Sequence, residues 1–200
     1  MKVNMKMLEL SALFAMLITI ILSSAGFESE CKSVEQEVLR LHVIANSDSD
    51  EDQSLKLKVR DELLNEWKQN YSSFSTKNEA EEAMKKDLAK FEKTAKSVIK
   101  KNGFDYAVTA KVEKSSFPTR TYGSVTLPAG EYDALKVIIG EGKGKNWWCV
   151  MFPPLCLPAA EESAELEDVL SSGEMELVLQ NPKYEMRFWI VEKLRELFGD

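Results

Sequence analysis

Apolar and polar positions change period several times along the 200-residue chain, and each period predicts an element. Leu39, Leu41, Val43 and Ala45 alternate with Arg40, His42 and Ile44, the period of two that puts successive side chains on opposite faces of a strand. One of those faces is expected in the core. After the polar run Asn46-Ser47-Asp48-Ser49-Asp50-Glu51-Asp52 the period lengthens, and Leu55, Val59, Leu63 and Trp67 share one face of a helix. The acids suit that helix's positive end, and Asp50 with Gln53 has the spacing of a capping box. Thr76 and Glu79 open a second helix, whose stripe of Ala80, Met84, Leu88, Phe91, Ala95, Val98 and Ile99 runs to a left-handed stop at Asn102-Gly103.

A period of two returns at Tyr106, Val108, Ala110 and Val112, and Phe117-Pro118 interrupts it. Leu127-Pro128-Ala129-Gly130 predicts a turn, followed by a strand from Tyr132 to Ile139. The loop Gly140 to Lys145 then leads into Trp147-Trp148-Cys149-Val150-Met151-Phe152, six consecutive apolar residues ended by Pro153-Pro154. Such a run predicts a strand covered on both faces, with Trp147 and Trp148 on opposite sides and each indole N–H needing a partner. The glycine loop is expected to join the two strands as a hairpin. Residues 159–168 are acidic and predict a surface segment, and Glu176 to Gln180 a short edge strand. Asn181-Pro182 begins a terminal helix with the stripe Met186, Trp189, Ile190, Leu194 and Leu197. Together these elements predict an α+β fold, a single layered domain over 38–200. An antiparallel or mixed sheet is packed by two long helices and a C-terminal helix.

The N-terminus changes where this domain is expected to work. Lys2 and Lys6 precede an apolar run from Leu10 to Leu22, and Ser23-Ser24-Ala25 offers small residues at a cleavage site. Residues 1–25 are therefore expected to be an export signal cut after Ala25, with an uncleaved anchor as the alternative. Residues 26–37, polar from Ser29 onward, are expected to be a linker. The formal net charge is −7, and a signal carrying Lys2, Lys6 and Glu9 takes away a net +1, leaving −8. No nucleic-acid partner is expected on that balance. In an oxidising compartment Cys149 and Cys156 are close enough in sequence to form a bridge. Cys31 is then left unpaired or pairs between chains.

Candidate chemistry adds little. Asp48, Asp50 and Asp52 have the odd-position spacing of a calcium loop, but Gln53 stands where its glycine belongs and Val59 where its closing glutamate belongs. No metal site and no cofactor are expected. Gly140, Gly142 and Gly144 lead into a strand, whereas a phosphate loop leads into a helix. His42 is the one histidine, and a thiol protease would need it beside Cys149 or Cys156. No HExxH, CxxC or GxSxG motif is present.

Two longer stretches point further. Leu39-Arg40-Leu41-His42-Val43-Ile44-Ala45-Asn46-Ser47-Asp48-Ser49, continued by Asp52 to Asp61, resembles the N-terminal signature of the stage II sporulation protein R family. Leu127-Pro128-Ala129-Gly130-Glu131-Tyr132 and the stretch from Gly140 to Cys156 resemble its second signature, in the right order. The resemblance covers Leu39 to Cys156 and does not extend to residues 159–180. It implies a protein made in the forespore of endospore-forming bacteria and secreted into the septal intermembrane space. There it would trigger a membrane-embedded aspartic protease that cleaves the precursor of the mother-cell transcription factor sigma-E. It implies a signal and not an enzyme. The alternative from another class is an exported hydrolase or cell-wall-binding domain using His42 and an acid from 46–52. The surface expected to meet the protease is the end of the first strand, His42 with Asn46, Ser47 and Asp48, since loops held by rigid elements are where recognition usually sits.

Overall fold

A computed structural model describes residues 5–71, 73–153, 170–179 and 188. Its elements run α1 (Met5–Glu37), β1 (Leu39–Ile44), α2 (Asp50–Tyr71), α3 (Lys77–Lys86), α4 (Leu88–Lys101), β2 (Val108–Phe117), β3 (Arg120–Tyr122), β4 (Val125–Leu127), β5 (Gly130–Ile139), β6 (Asn146–Phe152) and α5 (Ser172–Val178). Four strands form one sheet in the order β2-β5-β1-β6, and β3 pairs with β4 in a small second sheet. β1 runs parallel to β5 and antiparallel to β6, while β2 is antiparallel to β5. The fold is α+β with a mixed sheet.

The alternation along β1 sorts its side chains into two cores. Leu39, Leu41 and Val43 meet Leu135, Val137 and Met151 under a helical layer that contributes Leu55, Val59, Leu63, Trp67, Met84, Phe91 and Ile99. The opposite face is covered at one end by Phe27, Cys31 and Val34 of α1, by Val125 and Leu127 of β4 and by Leu177 and Val178 of α5. Both faces of β1 are thus buried, where one was expected. Trp147 packs in the first core and Trp148 against the second, on opposite sides as their adjacency predicts. Neither indole N–H finds a hydrogen-bond partner among the described residues, and a guanidinium lies over each ring: Arg60 at 4.2 Å from Trp147 and Arg120 at 4.5 Å from Trp148.

Several expectations are corrected. Residues 26–37 are the last turns of α1 and no linker, because Phe27, Cys31 and Val34 recur at helical spacing and all three are buried. The second helix is two: Asp87 leaves helical geometry at φ −105° and ψ 16°, dividing α3 from α4. Its carboxylate accepts a hydrogen bond from the Tyr71 hydroxyl and so does not cap α4. β5 and β6 are not a hairpin, because β1 lies between them. Crossing it means spanning about 10 Å, two strand spacings, which the loop of residues 140–145 reaches easily. The hairpin of β3 and β4 went unpredicted. Of the edge strand expected from Glu176 to Gln180, Glu176 to Val178 is helix, because Ser171 and Glu174 form a capping box that starts α5 one turn earlier, while Leu179 does pair with Val125 in an isolated antiparallel bridge and Gln180 lies outside the described residues. The terminal helix and the acidic stretch lie outside the described residues, apart from Phe188, whose ring sits 5.5 Å from that of Phe27.

Candidate functional site

The polar run after β1 and the glycine loop after β5 are distant in sequence and form one junction. Ser49 starts α2: its carbonyl accepts from Gln53 N–H at 2.9 Å and its hydroxyl from Asp52 N–H at 3.2 Å. The cap is Ser49, one residue before the expected Asp50. That placement turns Asp52 inward, 4% exposed, where its Oδ2 accepts from Asn46 Nδ2 at 2.8 Å and from Ser47 Oγ at 2.6 Å. Burial pushes the Asp52 carboxyl up, but the hydrogen bonds from Ser47, Asn46 and Tyr106 outweigh it and hold it below its ordinary value.

The glycine loop lies across this turn. Lys143 N–H donates to Asn46 O at 3.1 Å, Gly144 N–H to Ala45 O at 3.0 Å, and Glu141 N–H to Asn46 Oδ1 at 3.0 Å. Lys145 N–H donates to Asp48 Oδ1 at 2.6 Å. From α2, Gln53 Nε2 reaches Ser47 O at 2.8 Å and Lys56 Nζ reaches Lys145 O at 2.9 Å. Lys56 is 4% exposed, and burial lowers its pKa. Gly140 has φ 58°, and a Cβ there would sit 2.2 Å from Asn46 Oδ1. The glycines therefore serve a close crossing and not a phosphate.

Of the four residues expected at a recognition surface, the structure brings Asn46, Ser47 and Asp48 together and sets His42 apart. His42 is 7% exposed on the sheet face that carries Arg40, its Nε2 2.9 Å from Asn146 Oδ1 and its ring 6.0 Å from Trp148 and 5.8 Å from Phe117. Burial pushes its imidazole below the ordinary value, against the opposing hydrogen bond to Asn146. Cys149 lies in the opposite core, on the helix side, so the sheet separates it from His42. Cys156 lies outside the described residues. Asp48, Asp50 and Asp52 diverge: Asp48 is bound to the glycine loop, Asp50 is exposed and Asp52 points inward.

What remains at the surface is a charged rim of Asp48, Asp50, Glu51, Glu141, Lys143 and Lys145 around a fixed backbone. Sequence reasoning missed Asp52, Gln53, Lys56 and Lys145 as parts of the junction. The acid run holds Asp52 in view, but nothing local shows that it turns inward.

Comparison with known proteins gives two agreeing matches. The family model described as "Stage II sporulation protein R" matches residues 35–162. Stage II sporulation protein R of Bacillus subtilis (strain 168) is 33% identical over 193 residues, covering 86% of this chain and 86% of that one. No solved structure matches.

Proposed function

Because the chain belongs to the stage II sporulation protein R family, we propose that it is the exported signal of sporulation that triggers the membrane-embedded aspartic protease processing pro-sigma-E. The observation that carries this reading is the junction: a glycine loop tied down by backbone hydrogen bonds, presenting an exposed charged rim. Such a preorganised rim suits recognition, since little ordering entropy is left to lose on binding. The hydrolase alternative is disfavoured because His42 is buried against Trp148 and its Nε2 is engaged by Asn146 and by no acid among the described residues.

The proposed export is supported by the apolar run from Leu10 to Leu22, where Leu10, Leu13, Phe14, Met16 and Ile18 are exposed along α1. No helix among the described residues is long and apolar enough to cross a membrane. Cleavage after Ala25 would leave Phe27, Cys31 and Val34 in the mature core.

Geometry also refines the test. Asn46→Ala or His42→Ala would act through packing, so the informative variant is Glu51→Lys with Lys143→Glu, two exposed rim positions. In sporulating cells this double variant, which gives up one acid of the first turn of α2 and the exposed Lys143–Glu141 pair, is expected to stay folded and exported with at most a small fall in its unfolding midpoint, while pro-sigma-E processing falls roughly tenfold, as charge reversal across an interface costs on the order of 1–2 kcal/mol. Normal processing by the folded variant would remove the rim from the proposal.

A Cys149–Cys156 bridge belongs to the same proposal. It is supported by Cys149 being disulfide-bonded and by the buried Cys31 lying in the other core. Alkylation of the secreted protein under denaturing, non-reducing conditions, needed because Cys31 is buried, followed by mass spectrometry should label one cysteine of three; three labels would refute the bridge.

A further inference from the structure

The two edges of the four-stranded sheet are finished differently. Along β6, side chains take up carbonyls: Trp67 Nε1 donates to Met151 O at 2.8 Å and Tyr122 Oη to Trp148 O at 3.1 Å. β2, the opposite edge, is a ten-residue strand. Gly140 N–H bonds to Ala107 O at 2.8 Å, which sets the phase of the ladder. Antiparallel pairing then points Thr109, Lys111, Glu113 and Ser115 toward β5, while Val108, Ala110, Val112, Lys114 and Ser116 turn N–H and C=O outward. Glu92 confirms the phase by accepting the Ala110 N–H at 2.8 Å. From Val112 to Ser116 the outward groups find no partner among the described residues.

Beside this edge α4 presents a basic face. Lys93, Lys96, Lys100 and Lys101 are exposed and border a groove of about 600 Å³ that reaches Val108, with one acid among them, Glu92, whose carboxylate is engaged by the Ala110 N–H. Lys90 pairs with Glu66, but none of these four lysines pairs with a carboxylate among the described residues. On a chain of net charge −7 this is a local concentration of the minority sign.

We propose that the outer edge of β2 is a strand-addition site for an extended, acidic segment of a partner protein. The unpaired N–H and C=O groups at Val112, Lys114 and Ser116 supply the ladder, and where the added strand runs on past Ala110 to Val108 the lysines of the groove meet its carboxylates. Lysines along an edge ordinarily repel a second copy of the same edge; a strand of opposite sign turns that repulsion into selection. A lipid surface would engage the lysines but could not use the backbone edge, so the coincidence of the two favours a peptide. This inference is independent of the charged rim and of pro-sigma-E processing, and its test involves neither.

The full chain, in a mild nonionic detergent, is titrated with a fluorescent peptide of alternating valine and glutamate. Saturable binding is expected. It should be lost when alternate peptide nitrogens are methylated, which keeps the charge but removes the ladder donors. Lys93→Glu/Lys96→Glu/Lys100→Glu should weaken it roughly tenfold or more at low salt. Ser116→Pro, which removes one outward donor at an exposed edge position where proline is tolerated, should weaken it at least severalfold. Should that variant fail to fold, the methylated peptide still decides on the unaltered protein. Three results would overturn the proposal: equal binding of the methylated peptide, no binding at millimolar peptide, or binding only to phosphatidylglycerol vesicles.

Discussion

Gly144→Ala should cost the protein about 3 kcal/mol or more of stability, as an overpacking penalty plus the hydrogen bonds it breaks. A Cβ at residue 144 would stand 2.1 Å from the Ser47 carbonyl oxygen and 2.8 Å from Ala45 Cβ. Neither is the far end of a flexible side chain, so the loop itself must lift. Lifting breaks Gly144 N–H to Ala45 O and Lys143 N–H to Asn46 O, the bonds that tie the crossing to the end of β1. The control is Gly173→Ala in α5, where nothing lies within 4 Å of an added Cβ and a helical alanine should be neutral or stabilise by about 0.5–1 kcal/mol. Urea denaturation of both variants checks the contrast. Equal midpoints for Gly144→Ala and the parent protein would mean that the crossing is slack and the junction is not held as described.

Arg40→Ala is expected to cost about 3–5 kcal/mol, close to the loss on truncating a large buried side chain. Arg40 is fully buried. Its guanidinium lies 4.0 Å from the Phe117 ring centroid and 4.8 Å from that of Tyr132, and donates to Tyr122 Oη at 2.6 Å and to Cys149 O at 3.4 Å. No carboxylate among the described residues pairs with it, so aromatic faces and neutral oxygens carry the charge, and burial lowers its pKa. Removing the charge while keeping the volume should therefore be the milder change. Arg40→Met is expected to lose less than half as much as alanine, because an unpaired buried charge costs more than an apolar chain of similar length. Arg40→Lys should be worse than methionine, since an ammonium cannot reach Tyr122 and Cys149 together with a planar fork. Thermal unfolding of the three variants ranks them. Methionine as damaging as alanine would show that the guanidinium's contacts, and not its bulk, hold the second core.

Much of this was legible in the sequence wherever a local period met a local cause. The alternation of β1 gave the correct split of Leu39, Leu41 and Val43 from Arg40 and His42, and the α2 stripe named Leu55, Val59, Leu63 and Trp67 of its buried residues but not Asp52, Lys56 or Tyr71. Which strands neighbour one another was not legible, because a period of two specifies a strand and its faces but no partner. A loop of this length fits a hairpin or a crossing equally well, and the choice is made by β1, which lies about a hundred residues earlier. The break at Asp87 left no trace because Met84, Leu88 and Phe91 keep their spacing through it. Phe27, Cys31 and Val34 were visible as a stripe and were overlooked among the acids around them. At the junction the sequence singled out Asn46, Ser47 and Asp48, yet their side chains are largely occupied in holding two segments together. A polar cluster at a turn carries the same letters whether it faces a partner or its own backbone.

The central position of β1 also decides when the sheet can exist. Its six residues are complete by Ile44, but both neighbours come from residues 130–152. A chain ending before residue 130 has a strand with two open edges and nothing to pair with, and only the helical layer can gather beside it. Almost every contact of β1 closes a long loop, the kind of topology that folds slowly because chain entropy is lost before the pairing returns anything. The chain therefore stays without its sheet through most of its synthesis, which is the condition a polypeptide needs if it is to be threaded through a membrane from its N-terminus.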